Sequence, residues 1–158
     1  MVILSRSNSE NTDYQALTQL LDAYLRIQDG EEHAFYAQYN KSTTINQVIV
    51  AYENAHALAC GALKAYSPEV AEIKRMYVLP TLRGQGVATL ILKELESWAK
   101  ELGYTSCILE TGKRQPEAIA LYLKNGYQII PNYGQYQSAE NSICFEKRLA
   151  EISTDLHR

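Results

Sequence analysis

The sequence is poor in the residues and patterns that mark several specialised classes of protein. It has three cysteines in 158 residues, odd in number and far apart, so neither a disulfide framework nor a cysteine-based metal site is indicated. Every apolar run is shorter than the roughly 18 residues that a membrane helix needs, and the first residues lack the regions of a signal peptide. We therefore expect no membrane segment, and buried thiols at Cys60, Cys107 and Cys144 in a reducing cytoplasm.

The charge balance also excludes one class of partner. Lys and Arg number 15 against 18 Asp and Glu, which gives a net charge of −3 with no block of like charges. A nucleic-acid-binding face is therefore not expected, and an amine substrate is easier to accommodate than an anionic one. The 46% hydrophobic content and the length fit one domain over residues 1–158, and no spacing of ligands indicates a metal.

Hydrophobic periodicity divides the chain into strands and helices. The strands are predicted at 2–4, 47–53, 56–66, 72–78, 104–110, 127–130 and 142–149, and the helices at 13–28, 31–39, 86–102 and 116–125. Thr12 or Asp13 is expected to cap the first helix, which Gly30 ends. Strands that cluster first and βαβ units that follow favour an α/β (α+β) fold, a mixed sheet with helices on both faces.

The helix over 86–102 has the clearest pattern. Its predicted buried stripe consists of Val87, Leu90, Ile91, Leu95, Trp98 and Leu102, and its predicted solvated face consists of Lys93, Glu94, Glu96, Lys100 and Glu101. Gly103 stands where a glycine commonly ends a helix.

The loop before this helix predicts an anion-binding site. A strand that Pro80 stops is followed by Gly84 and Gly86 and then by the helix. Unpaired N–H groups at a helix start attract phosphate, and glycines let the backbone approach it. A nucleotide-triphosphate loop is excluded because no lysine follows Gly86. A dinucleotide turn fits poorly, because Thr89 replaces its third glycine and five residues separate Val78 from Gly84.

Two motifs give the chain a family resemblance. The segment Arg83-Gly84-Gln85-Gly86-Val87-Ala88 resembles the R/Q-x-x-G-x-G/A signature of GNAT (Gcn5-related) acetyltransferases, and residues 118–127 resemble the family's A-I-x-L-Y-x-K-x-G-F/Y. The resemblance covers residues 48–149. It implies the GNAT acyl-CoA N-acyltransferase fold, a mostly antiparallel sheet of six to seven strands in which a β-bulge splays strands 4 and 5.

The resemblance also implies the site of the co-substrate, acetyl-CoA. Backbone N–H groups from Arg83 to Thr89 would hold the coenzyme A pyrophosphate, and the strand before them would hydrogen-bond the pantetheine arm. An N–H near Tyr77 would polarise the thioester carbonyl. The implied binding residues are Met76, Tyr77, Val78, Arg83, Gly84, Gln85, Gly86, Val87, Ala88 and Thr89.

For catalysis the resemblance implies a base and an acid. Glu72 matches the family's strand-4 base, and period-two geometry places it on the same face of the strand as Lys74 and Met76. Glu110 is the competing base. Tyr122 matches the tyrosine that protonates the departing sulfur. No nucleophilic triad is indicated, so we expect direct transfer in a ternary complex.

The acceptor is expected to lie between segments 29–40 and 131–136, which are rich in Tyr, Asn and Gln. Asp29, Glu31 and Glu32 could attract an ammonium group there. A small-molecule or peptide amine fits equally, and unpaired sheet edges leave room for a homodimer. The competing functions are a catalytically silent acyl-CoA-binding or sensing module and a nucleotide-binding fragment.

Overall fold

A computed structural model describes residues 1–39 and 44–150 of the chain. Its strands form one sheet in the spatial order β1-β2-β3-β4-β5-β7-β6, in which β4 and β5 are parallel and all other neighbours antiparallel. The strands are β1 (Ile3–Ser7), β2 (Gln47–Glu53), β3 (His56–Ala65), β4 (Val70–Val78), β5 (Ser106–Gly112), β6 (Gln128–Ile130) and β7 (Ser142–Arg148). The predicted mixed, mostly antiparallel sheet of six to seven strands is confirmed.

Helices cover both faces of this sheet, as predicted. The helices are α1 (Thr12–Asp29), α2 (His33–Ala37), α3 (Val87–Glu101) and α4 (Pro116–Lys124). On one face α1 buries Tyr14, Leu17 and Leu21 against β2 and β3. On the other face α3 buries Ile91 and Leu95 in the larger core, which α4 joins. The two cores therefore lie on opposite sides of the central strands.

Two details at the N-terminal helices differ from prediction. The cap of α1 is Asn11, whose side-chain oxygen accepts a hydrogen bond from the Tyr14 N–H at 2.9 Å, and not Thr12 or Asp13. The helix predicted over 31–39 is instead a 3-10 turn followed by the short α2. Aromatic packing holds this segment, since the ring centroids of Phe35 and Tyr39 lie 5.4 Å apart. Asn40 and the rest of 40–43 lie outside the described residues.

The predicted faces of α3 are partly wrong. Leu90 and Leu102 are exposed, whereas Glu96 is only 7% exposed. The Glu96 carboxylate is buried because it accepts hydrogen bonds from the Tyr127 hydroxyl and the Lys147 ammonium, each at 2.9 Å. Partners that are distant in the sequence thus offset the cost of burying the charge, which helical periodicity alone does not reveal.

A β-bulge interrupts β4 and shapes the centre of the molecule. Two residues of β4, Arg75 and Met76, lie opposite Gly61 of β3. Arg75 takes a φ of 59°, and the Cys60 thiol donates to its carbonyl oxygen at 3.4 Å. A positive φ is uncommon for a residue other than glycine, so the bulge is locally strained and held by its surroundings.

The bulge corrects the predicted faces of β4. Arg75 points towards α1, where it donates to the Thr18 carbonyl at 3.2 Å and pairs with Asp22 at 2.8 Å. Met76 packs against the α3 core instead. Glu72 and Met76 therefore do not share a face, because the extra residue of the bulge shifts the period-two alternation by one.

Gly61 is required where β3 passes beneath α3. A Cβ on this residue would stand 2.6 Å from the Met76 sulfur, 2.8 Å from Ile91 and 3.0 Å from Leu95. The first two approaches are closer than real side chains make. The missing side chain thus lets α3 pack directly over the bulge.

Three further expectations concern the interior of the molecule and its sites. The cysteines Cys60, Cys107 and Cys144 are free and buried, as the sequence predicts. Among residues 1–39 and 44–150, no helix combines the length and apolar character needed to cross a bilayer. Within the same ranges, no cluster of three or more His, Cys, Asp and Glu side chains is placed to hold a metal ion.

Candidate active site

Two cavities meet where β4 and β5 separate. These parallel strands pair only over Val70–Glu72 of β4, and from Ile73 onward β4 pairs on that side with no strand of residues 1–39 and 44–150. A groove of about 860 Å³ follows this free edge to the start of α3. A smaller cavity of about 130 Å³ lies on the α1 side, between β4, β5 and α2. The residues that line both are Leu21, Gln28, Met76, Arg114, Gln115, Ala118 and Tyr122.

The glycine loop forms one end of the larger groove. Gly84 and Gly86 have φ of 80° and 83°, a region that favours glycine, and a Cβ at either position would meet no atom within 4 Å. Gly86 is the N-cap of α3, and no side chain in the described part of the chain caps the helix. The first N–H groups of α3 therefore face open space at the positive end of a 15-residue helix. This arrangement can bind an anion.

The structure brings nearly all of the predicted cofactor-binding residues to this groove. Its lining includes Met76, Tyr77, Val78, Arg83, Gly84, Gly86, Val87, Ala88 and Thr89. Gln85 is exposed and does not line it. The groove also takes in Tyr24 from α1, which no sequence motif singled out, because only the packing of α1 on the sheet places it there.

The Arg83 side chain holds the loop rather than pointing into open space. Its Nε donates to the Val78 carbonyl oxygen at 3.0 Å. The guanidinium lies 5.4 Å from the ring centroid of Tyr24 and 5.5 Å from that of Tyr77, within cation–π range. Arg83 thus fixes the loop to the end of β4 and to α1.

The two candidate bases line the smaller cavity together. Glu72 is 7% exposed and accepts a hydrogen bond from the Tyr133 hydroxyl at 2.6 Å. Glu110 accepts one from the Ser142 hydroxyl at 2.7 Å, and Ser142 lies 3.0 Å from the Tyr36 hydroxyl. Burial raises the pKa of Glu110 from 4.5 to about 7, although the Ser142 hydrogen bond and the Lys74 charge oppose this rise.

Tyr122 is the tyrosine that lines both cavities. Its ring packs in the core, with centroids 5.8 Å from those of Tyr127 and Phe145. Burial, and secondarily the charge of Glu110, raises the pKa of the Tyr122 phenol above its ordinary value. The phenol therefore stays protonated at neutral pH.

The predicted acceptor segments contribute some of their residues to the smaller cavity. Asp29, Glu32, Tyr36 and Tyr136 line it, whereas Glu31 does not. Phe35 packs on Tyr36 with ring centroids 5.1 Å apart.

Sequence reasoning missed two other contacts of this site. The first is the contact of Ser142 with Glu110, which forms because β5 and β7 pair in a register that sets Gly112 beside Ser142. The second is the hydrogen bond from Asn141 to Glu32. No local motif signals either contact, since the first depends on strand pairing and the second joins the turn before β7 to the 3-10 turn after α1.

Comparison with known proteins identifies the family. The model of the acetyltransferase (GNAT) family matches residues 14–127, and the chain belongs to that family. An IAA acetyltransferase of Azospirillum brasilense is 36% identical over 103 residues, which are 64% of this chain and 67% of that protein.

Solved structures share the fold. A structure described as a putative acyl-CoA N-acyltransferase from Klebsiella pneumoniae has a TM-score of 0.79 and 28% identity, over 95% of this chain and 99% of its own. The PaiA N-acetyltransferase of Thermoplasma acidophilum, solved with coenzyme A, has a TM-score of 0.67 and 16% identity, over 94% of this chain and 99% of its own. The acyl-CoA N-acyltransferase fold, with its splay between β4 and β5, is thereby established.

Proposed function

We propose that this GNAT-family chain transfers an acetyl group from acetyl-CoA to a primary amine, directly and in a ternary complex. The observation that carries the proposal is the meeting of two unlike cavities at Tyr122. One is an open groove that ends at an uncapped helix start, and the other is small and lined by carboxylates. A thioester-bearing ligand fits the first, and an amine fits the second.

The groove residues suit coenzyme A. Backbone N–H groups of the loop and of the first turn of α3 would hold its pyrophosphate, with no side chain at Gly84 or Gly86 in the way. The unpaired edge of β4 at Met76–Val78 would hydrogen-bond the pantetheine as an added strand does. Coenzyme A bound to PaiA, which shares the fold, supports this assignment. Bound acetyl-CoA would supply an activated acetyl thioester.

The chain's own residues then supply proton transfers and charge stabilisation. Glu72 accepts a proton from the amine, and a backbone N–H near Tyr77 donates to the negative charge that develops on the carbonyl oxygen. Tyr122 gives its proton to the departing sulfur. Glu110 is the alternative base. Its pKa of about 7 favours it, because a general base works best when its pKa lies near the operating pH. Comparing the rates of Glu72→Gln and Glu110→Gln decides between them.

Acetyl-CoA binding to matched glycine variants tests the cofactor site. Gly86 and Gly103 lie at opposite ends of α3, both have positive φ, and a Cβ added to either would meet no atom within 4 Å. Leucine at either position costs about 1–2 kcal/mol of backbone strain. By calorimetry we expect Gly86→Leu to weaken acetyl-CoA binding at least about tenfold, and Gly103→Leu to bind as the parent does.

Three results would contradict the proposal. If Gly86→Leu and Gly103→Leu bound acetyl-CoA with equal affinity, the glycine loop would not be part of the binding site. Binding of NAD in place of acetyl-CoA would favour a nucleotide-binding role. A protein that binds acetyl-CoA, yet releases no thiol with any amine in a broad panel, would be the silent acyl-CoA-binding module instead.

A further inference from the structure

The smaller cavity presents charges of both signs. Its lining contains the carboxylates Asp29, Glu32, Glu72 and Glu110 and the cations Lys74, Arg75, Lys113 and Arg114. A cavity built only to attract an ammonium group would need the carboxylates and would be weakened by cations. The cations therefore call for a separate explanation.

Most of these cations are accounted for without a ligand. Arg75 pairs with Asp22 at 2.8 Å, and Arg114 lies 4.0 Å from Glu32. Lys113 is exposed to solvent. Lys74 is different: it is partly buried, its Nζ donates to the Tyr39 carbonyl oxygen at 3.0 Å, and it forms no ion pair with a carboxylate of the described residues. Burial lowers the pKa of this ammonium, which shows that its surroundings compensate its charge incompletely.

Lys74 also stands beside the candidate bases. It follows Glu72 by two residues before the bulge, so the two side chains leave the same face of β4 about 7 Å apart. Both line the cavity, as does Glu110 on the neighbouring strand. A carboxylate and an ammonium thus face one small space and compensate each other only partly, without forming an ion pair, and a ligand with the opposite pair of charges would satisfy both.

From this pairing we propose that the acceptor is a small zwitterion, an amine that carries a carboxylate close by, of which a free α-amino acid is the simplest. The inference rests on the proposed acetyltransferase function. The acceptor's ammonium group meets Glu72 and Glu110, and its carboxylate meets Lys74. The volume of this cavity, about 130 Å³, favours a small acceptor over a bulky one. A lysine side chain within a protein presents no carboxylate beside its amine and leaves Lys74 unpaired.

The test measures release of coenzyme A thiol from acetyl-CoA with each of the common L-amino acids. The best acceptor is then compared with its own amide and with its decarboxylated amine. Loss of one charge-assisted contact is expected to lower kcat/KM for both carboxylate-free analogues by roughly 10- to 100-fold.

Variants of Lys74 connect this selectivity to the residue. Lys74→Met should lower kcat/KM for the amino acid by a similar factor. It should also reduce the ratio of kcat/KM for the amino acid to kcat/KM for its amide. Lys74→Arg, which keeps the charge, should restore part of that advantage. Lys93→Met, on the exposed face of α3, is the control and should behave as the parent. Unchanged acetyl-CoA affinity and melting temperature show that each variant is folded.

Each result has one meaning for the proposal. A carboxylate-free amine used as well as the amino acid overturns it, and so does acetyl-CoA binding without turnover of any amino acid. A Lys74→Met protein that is folded and equally selective overturns the role of Lys74. Failure of the parent protein to bind acetyl-CoA refutes the acetyltransferase function itself, so the two failures are distinguishable.

Discussion

Replacing Glu110 by glutamine should remove a pH dependence from the stability of the fold. Glutamine keeps the size of the side chain and can still accept the Ser142 hydrogen bond at the carbonyl oxygen. It cannot ionise, so it does not carry the cost of a charge in a poorly solvated cavity. The perturbation therefore isolates one titrating group with little change in packing.

The magnitude follows from the pKa of Glu110, which folding raises from 4.5 to about 7. Because the folded state holds the proton more tightly than the unfolded state, the parent protein loses stability as the pH rises from 4.5 to about 7. The full shift corresponds to an upper limit of about 3 kcal/mol, at about 1.4 kcal/mol for each pH unit. Glu110 retains partial exposure through the cavity, so we expect a change of about 1–3 kcal/mol.

Urea unfolding at several values between pH 4.5 and 8 measures this difference. The stability of Glu110→Gln relative to the parent should increase with pH across that window and then level off. Glu140→Gln, at an exposed position, is the matched control and should show no such trend. A difference between parent and Glu110→Gln that stays constant from pH 4.5 to 8 would refute the reasoning.

Three further predictions concern the proposed proton donor, the hydroxyl beside Glu110 and the bulge. Tyr122→Phe should lower kcat by roughly 10²-fold in rate measurements and should leave acetyl-CoA affinity within about twofold by calorimetry. An unchanged kcat would exclude Tyr122 as the acid. Ser142→Ala removes a hydrogen bond that lowers the pKa of Glu110, so the pH window of the stability change should extend above about 7. Gly61→Ala should cost about 1–3 kcal/mol of unfolding free energy through overpacking. Adding Met76→Ala, which removes the nearest clashing atom, should recover part of that loss, and strict additivity of the two changes would contradict the clash.

Local patterns in the sequence were sufficient for most of the strands and helices and for the glycine loop of the larger groove, whereas the helix predicted over 31–39 is a 3-10 turn followed by the short α2. The two-residue period of the strands and the 3.6-residue period of α1 and α3 are set by local backbone geometry. The conformation of the loop is also set locally, because Gly84 and Gly86 adopt a positive φ that glycine tolerates without help from distant residues. A loop that depends on consecutive residues can therefore be predicted from consecutive residues, whereas Tyr24 reaches the same groove only through the packing of α1.

Only the tertiary structure decided how the smaller cavity is built. The bulge at Arg75 shifted the alternation of β4 and moved Met76 to the other face, and no pattern within β4 marks where an extra residue is inserted. The hydrogen bond from Tyr133 to Glu72 joins residues 61 positions apart, and the one from Ser142 to Glu110 joins residues 32 positions apart. Strand register brings Ser142 to Glu110. Burial raises the pKa of Glu110, because groups from distant parts of the sequence exclude water from its carboxylate.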